Sequence, residues 1–136
     1  MTEIVSRVPT AGEFRSLAES VGWGDHFEWE TMQAALDGSL YGVIAAHDGT
    51  VVGSGRVVGD GTRYFYVQDV IVRPDAANDG LATHIVDELL VWVRQRAGRS
   101  AVVGLFASPE AVGVYETLGF SPAVSDPLGM TLQIDG

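Results

Sequence analysis

The chain has 136 residues, a formal net charge of −10 and no cysteine. That length suits one domain, residues 1–136, able to bury a core without disulfides or structural metals, and thiolate zinc sites are ruled out. The acidic balance disfavours a nucleic-acid backbone or an anionic membrane as partner and favours a cationic ligand; all 8 basic residues are arginines, which removes any Walker, Schiff-base or kinase lysine.

The opening MTEIVSRVP lacks the apolar run of a signal peptide, and no uncharged apolar stretch is long enough to span a bilayer. With no cysteine, a cytoplasmic location is expected. Ile4 to Val8 read as a short strand. Thr10 with Glu13 three residues on forms a capping-box pattern, after which Phe14, Leu17, Ala18 and Val21 recur at helical spacing. Gly22 and Gly24 break that helix, and Asp25 with Glu28 repeats the cap signal before a second short helix ending near Leu36.

Tyr41 to His47, Thr50 to Val58 and Tyr64 to Val72 read as three strands of an antiparallel meander, separated by Asp48-Gly49 and by Gly59 to Gly61. Within the third, Gln68 and Asp69 interrupt an apolar run with polar side chains that need partners, a pattern expected at a bulge. Leu81, Ile85, Leu89, Val93 and Ala97 step by four, so a helix of about four turns follows Gly80 and stops at Gly98. Ala101 to Ala107 is a continuous apolar run, expected as a parallel strand buried on both faces. Ser108 and Pro109 start a short helix that Gly119 ends, and MTLQI reads as a last strand.

The bend RPDAANDG between strand and long helix is the first candidate site. It leaves the first N–H groups of the helix unpaired and carrying the positive end of its dipole, where an anion binds. Gly80 lets a ligand approach the backbone, and small Ala82 and Thr83 leave room for a pyrophosphate. Asp79 has a rival use, because a carboxylate just before a helix caps the same N–H groups; turned outward into water it is screened by solvent, and that outward pose is the one expected. The run GSGRVVG, Gly53 to Gly59, is not a dinucleotide fingerprint, since its spacing is wrong and no helix follows.

The order of these elements, with VQDVIVRPD, DGLATHIVDELL and VYETLGF, resembles the GNAT superfamily of acyl-CoA-dependent N-acyltransferases over nearly the whole chain. The tail LFASPEAVGVYETLGF followed by DPLGM is similar to small members that acetylate arylalkylamines. The resemblance implies an α/β fold of the α+β kind. Its mixed sheet has seven strands: a strand, two helices, the meander, the long helix, a fifth strand, a short helix and two last strands, with the fourth and fifth splayed. It implies acetyl-CoA as acyl donor, held by Val70, Ile71 and Val72 and by the turn Ala77, Asn78, Asp79, Gly80, Leu81, Ala82 and Thr83, with Ser108 where an Asn often contacts the cofactor. The family motif opens on Gln or Arg where this chain has Ala77, and Asp79 stands at a commonly basic position.

Tyr115 matches the family tyrosine that gives a proton or hydrogen bond to the departing thiolate; read from the residues alone, it is a core aromatic at helical spacing with Ala111 and Leu118. Asp69 is the first candidate base, ahead of Glu28 and His26, and His84 reads as packing or surface. In the family the stretch GWGDHFEWE walls the acceptor pocket, which points to Trp23, Phe27, Glu28 and Trp29 as substrate-binding residues able to hold a cation by ring faces and charge; an amphipathic helix with a solvated acidic side gives the same residues. The resulting expectation is direct acetyl transfer, in a ternary complex, to a small-molecule amine that is cationic. With no cysteine there is no acyl-cysteine route, and no metal is called for. A second reading, which Ala77 and Asp79 keep open, is a non-catalytic GNAT-fold module for metabolite sensing or protein interaction. The oligomeric state, a homodimer included, is left open.

Overall fold

The computed structural model describes residues 2–123 and 127–134, and for Asn78 and Asp79 the backbone alone. The chain divides into two compact units, one ending at Phe106 and one beginning at Ala107.

In the first unit β1 (Thr2–Val5), β2 (Tyr41–His47), β3 (Thr50–Gly59), β4 (Tyr64–Val72) and β5 (Val102–Gly104) form one sheet in that order. The first four pair antiparallel and β5 joins β4 in parallel. Asp48 and Gly49 both take positive φ, 51° and 81°, the geometry of a tight hairpin whose twist matches its strands. The β3–β4 turn is closed by Asp60, whose carboxylate accepts the N–H groups of Thr62, Arg63 and Tyr64 at 2.8–3.0 Å. Those bonds, that from Tyr64 foremost, hold its carboxyl below the ordinary aspartate range.

Two helical layers cover the sheet. α3 (Leu81–Arg96) buries Ile85, Leu89 and Val93 against Val43, Val57, Phe65 and Val67. Gly55 permits the close approach, since a Cβ there would stand 3.0 Å from Ile85. α1 (Ala11–Ser20) and α2 (Met32–Asp37) bury Phe14, Leu17, Ala18, Met32 and Leu36 with Ile71 in a separate cluster. Ile71 belongs to that cluster while Val70 and Val72 pack against the α3 cluster, so by strand alternation the two layers lie on opposite faces. Each fully buried Leu or Ile contributes about 1.5–3 kcal/mol of transfer free energy. α1 starts with the expected capping box, Thr10 and Glu13 bonding each other's backbone N–H at 3.1 and 2.8 Å.

In the second unit a 3₁₀ turn, Pro109–Ala111, leads into α4 (Val112–Thr117). Tyr115 is buried, edge-on to Phe120 at 5.9 Å, and the Phe120 N–H returns to the Tyr115 carbonyl at 3.1 Å.

Four expectations are corrected. β1 spans Thr2–Val5 rather than Ile4 to Val8, and Val8 instead packs over Gly42, which has no side chain to obstruct it. Asp25 and Glu28 cap nothing; the segment forms two 3₁₀ turns, Gly24–His26 and Trp29–Thr31, without side-chain caps. β5 is three residues long, not the whole apolar run, and leaves Val102 half exposed. Among the described residues MTLQI forms no strand, leaving a five-stranded sheet rather than seven: Leu128, Met130, Leu132 and Ile134 alternate as a strand would, but all are exposed. The described residues contain no helix long and apolar enough to cross a membrane.

Candidate active site

Parallel pairing between β4 and β5 covers only Tyr64 with Val102, Phe65 with Val103 and Tyr66 with Gly104. β4 then runs on to Val72 after β5 has ended, so the two strands part as a fork. Along its other edge β4 carries a bulge: Ser54 stands opposite Ile71 and Arg56 opposite Gln68, which leaves one residue too many on β4. Asp69 sits there at φ 55°, a left-handed conformation that a residue with a Cβ adopts at a cost.

The bulge changes which side chains face which layer. Phe65 and Val67 face α3 before it, Val70 and Val72 after it, and Asp69 is turned to the α2 side. There the Arg56 Nε donates to the Asp69 carboxylate at 3.0 Å, and the Arg56 Nη1 donates to the Ala35 carbonyl and the Ser39 Oγ, both at 3.1 Å. Both charged side chains are largely buried, 14% and 17% exposed, which makes the pair costly to break from one side. Arg56 is the residue that sequence reading missed. Its signal was a lone charge in an apolar strand, answered by a lone opposite charge in the next strand of the meander.

β4 passes through Arg73 and a 3₁₀ turn, Pro74–Asp79, into α3. Gly80 takes the cap position at φ 69°, ψ 23°, and a Cβ built on it would meet nothing within 4 Å. The backbone at the start of α3 therefore has open space beside Gly80. Leu81 is anchored in the core, Ala82 and Thr83 are half-buried, and Ala77 is exposed. The expected choice between a capping and an outward Asp79 concerns a side chain outside the described ones, as does the Asn78 side chain. Arg73 at the foot of the turn donates to the Ser16 Oγ at 3.3 Å and lies 3.8 Å from Asp75.

Between α1 and α2, the Trp29 Nε1 donates to the Gly24 carbonyl at 2.8 Å. Phe14, Phe27 and Trp29 pack with ring centroids 5.2–5.9 Å apart, and Trp23 meets His26 edge-on. The Arg15 guanidinium already stands over the Trp29 ring at 5.2 Å. Asp25, Glu28 and Glu30 are exposed. This stretch is thus an aromatic lining joined to the Ile71 cluster, with a row of carboxylates in water. His84 is on the surface, 3.8 Å from Glu88.

Ser108 is exposed at the cap position of its 3₁₀ turn and makes no capping bond with its side chain. Burial pushes the Tyr115 phenol above its ordinary value, so it stays protonated throughout the neutral range.

A forked parallel strand pair and a glycine turn leading into a helix are the arrangement that the resemblance to acyl-CoA-dependent N-acyltransferases implies. The sequence profile of the Acetyltransferase (GNAT) family matches residues 9–120, and the chain belongs to that family. It is 30% identical over 122 residues to the uncharacterized N-acetyltransferase ycf52 of Pyropia yezoensis, a match covering 87% of this chain and 67% of that protein. It is 33% identical over 96 residues to serotonin N-acetyltransferase 2, chloroplastic, of Oryza sativa subsp. japonica, covering 68% of this chain and 47% of the relative. Among solved structures, a probable acetyltransferase from meticillin-resistant Staphylococcus aureus superposes with a TM-score of 0.90 at 24% identity, covering 98% of this chain and 100% of the other. A GNAT family acetyltransferase from Streptococcus pneumoniae TIGR4 gives 0.82 at 27% identity, covering 99% and 98%. The protein is an acetyltransferase of the GNAT class.

Proposed function

We propose that the protein, as one GNAT domain over residues 1–136, transfers the acetyl group of acetyl-CoA to the primary amine of a small cationic molecule by direct attack in a ternary complex. The observation that carries the reading is the fork: β4 beyond Tyr66 has no β5 partner, and its last residues lead straight to the open backbone at Gly80. Val70, Ile71 and Val72 would lie along the pantetheine arm. The backbone from Ala77 through Asn78, Asp79, Gly80, Leu81 and Ala82 to Thr83 would take the pyrophosphate at the positive end of α3. Ser108 would contribute one further contact. When bound, acetyl-CoA supplies the thioester.

Tyr115 would give a hydrogen bond to the sulfur as charge develops there. Full proton transfer from a phenol to a thiolate is uphill by about 2 kcal/mol on reference values, and burial of Tyr115 widens that gap, so hydrogen-bond stabilisation outweighs transfer. An aliphatic amine with a pKa of about 10.4 must lose a proton before attack. Asp69 is the first candidate for that task, with exposed Glu28 and His26 behind it. Trp23, Phe27, Glu28 and Trp29 would wall the acceptor pocket. A cationic acceptor is supported by the exposed carboxylates of Asp25, Glu28 and Glu30 and by the net charge of −10. The same charge argues against nucleic acid as partner, and the lack of cysteine fits a cytoplasmic setting.

Titration calorimetry with acetyl-CoA, followed by an amine panel scored by free-thiol release, tests the reading. Saturation at 100 Kd adds about 2.7 kcal/mol of stability, readable as a thermal shift. Neither heat nor shift at millimolar acetyl-CoA would move the assignment to the second reading, a non-catalytic metabolite-sensing or protein-interaction module. That alternative rests on exposed Ala77, which offers the turn no polar group.

A further inference from the structure

We infer that Arg56 is a positioning residue for acetyl transfer: through Asp69 it holds the β4 bulge in its left-handed conformation and ties that bulge to α2. The inference rests on the proposed reaction, but its structural half stands apart from it. Asp69 occupies a backbone conformation that opposes its own Cβ, at φ 55°. The surroundings therefore have to maintain it, and the only ion pair that reaches this carboxylate among the described residues comes from Arg56, 13 positions earlier in the chain.

Arg56 is itself fixed from two further directions, the Ala35 carbonyl in α2 and the Ser39 hydroxyl just after it. Three bonds, one to β4 and two at the C-terminal end of α2, give the guanidinium a single placement, which a flexible point charge such as lysine would not reproduce. What it maintains is the side-chain phase of β4. With the bulge in place Ile71 faces the aromatic lining between α1 and α2, while Val70 and Val72 face α3. Without it, the strand after Gln68 would slip by one residue and those three side chains would exchange faces, along with the backbone groups that border the fork. The pair is a link between the donor strand and the α1–α2 acceptor wall.

This role makes a demand on Asp69 that catalysis as a base does not. A base needs the carboxylate, whereas a held bulge needs a residue at ease with positive φ. Glycine supplies that freedom with no side chain, asparagine tolerates it and can still accept from Arg56, and alanine provides neither. Asp69→Gly, Asp69→Asn and Asp69→Ala are therefore compared by kcat, by KM for acetyl-CoA and by amide hydrogen exchange at Val70 and Ile71. Arg56→Gln is made in the wild-type and Asp69→Gly backgrounds.

The expected result is that Asp69→Gly and Asp69→Asn turn over about tenfold faster than Asp69→Ala. Arg56→Gln lowers kcat about tenfold in the wild-type background but less than about threefold beside Asp69→Gly, where nothing is left for it to hold. Exchange at Val70 and Ile71 speeds up in Asp69→Ala and Arg56→Gln and stays slow in Asp69→Gly. Equal loss of kcat in all three Asp69 variants, with slow exchange throughout, overturns the inference and leaves Asp69 acting through its carboxylate alone. An undiminished effect of Arg56→Gln beside Asp69→Gly overturns it as well. If the wild-type protein shows no turnover, the functional reading has failed, and the exchange pattern still decides whether the pair holds the bulge.

Discussion

The ring of Tyr66 lies over Gly104, so close that a Cβ on the glycine would stand 3.1 Å from two ring carbons. These two residues form the last pair at which β4 and β5 are in register, and the fork opens beyond them. A bare glycine under an aromatic ring therefore marks where the strands stop pairing. Because Tyr66 is 41% exposed, its ring has room to tilt and relieve a small intrusion. Gly104→Ala is expected to lose less than about 1 kcal/mol, and Gly104→Val about 1–3 kcal/mol through overpacking. Urea unfolding measures both, and identical midpoints for the two variants would show that the ring does not press on this position.

Trp29 separates two contributions. Trp29→Phe keeps a ring against Phe14 and Phe27 but removes the bond to the Gly24 carbonyl, an expected loss of about 1 kcal/mol. Trp29→Ala removes the packing too and should lose about 3 kcal/mol. Calorimetric unfolding reads the difference, and with amine as the varied substrate both changes should raise KM more than they lower kcat.

Glu13 provides a pH test of the first helix. The hydrogen bond from Arg7, at 2.8 Å, comes first among the causes that hold its carboxyl below the ordinary glutamate range, and the Thr10 backbone adds to it. A depressed folded value means that the unfolded chain takes up the proton first as pH falls. The stabilisation is thus complete above the unfolded value of about 4.3 and is lost as pH drops through the lower folded value. Glu13→Gln should flatten this part of the stability–pH curve. A curve for the variant parallel to wild type below pH 5 would remove Glu13 from the acid transition.

For Tyr115 the sign runs the other way. Burial raises the folded value, so the unfolded chain loses its phenolic proton first, and stability falls only as pH climbs past about 10 toward the folded value. Turnover at neutral pH should therefore not depend on phenol ionisation, and a decline due to Tyr115 should appear only above that range. Tyr115→Phe should lower kcat by about 10²–10⁴ with little change in thermal midpoint. Wild-type kcat in the variant would exclude the phenol from the reaction.

The carboxylates of the α1–α2 segment should be visible in salt dependence. Exposed charges are screened over about 10 Å at 0.1 M ionic strength, so KM for a cationic amine should rise as salt is added. Glu28→Gln should weaken that dependence and raise KM at low salt about two- to fivefold, an effect on the order of 0.5–1 kcal/mol. A KM indifferent to salt in both proteins would argue for a neutral acceptor.

Much of this molecule is written in short-range patterns. β2 and β4 have the bounds that alternation and turn residues indicate, the Thr10–Glu13 box caps α1 as its spacing implies, and α3 begins right after Gly80 because the positive φ of that residue ends one element and starts another. Such features depend on neighbours within about four positions, which is the reach of helix bonds, caps and hairpin turns. The polar pair Gln68 and Asp69 even signalled a bulge.

Register was out of that reach. Nothing adjacent to Arg56 says that its partner is Asp69, that Arg15 covers the ring of Trp29, or that Tyr66 faces Gly104. Continuous apolarity from Ala101 to Ala107 indicated a full buried strand, yet pairing stops at Gly104, because a strand's length is set by the partner it meets and not by its own composition. Long-range contacts of this kind are chosen when the sheet and its two helical layers come together. The resemblance implied that β4 and β5 part, but the placement of the Asp69 carboxylate on Arg56, and the residue at which the fork opens, belong to the tertiary structure alone.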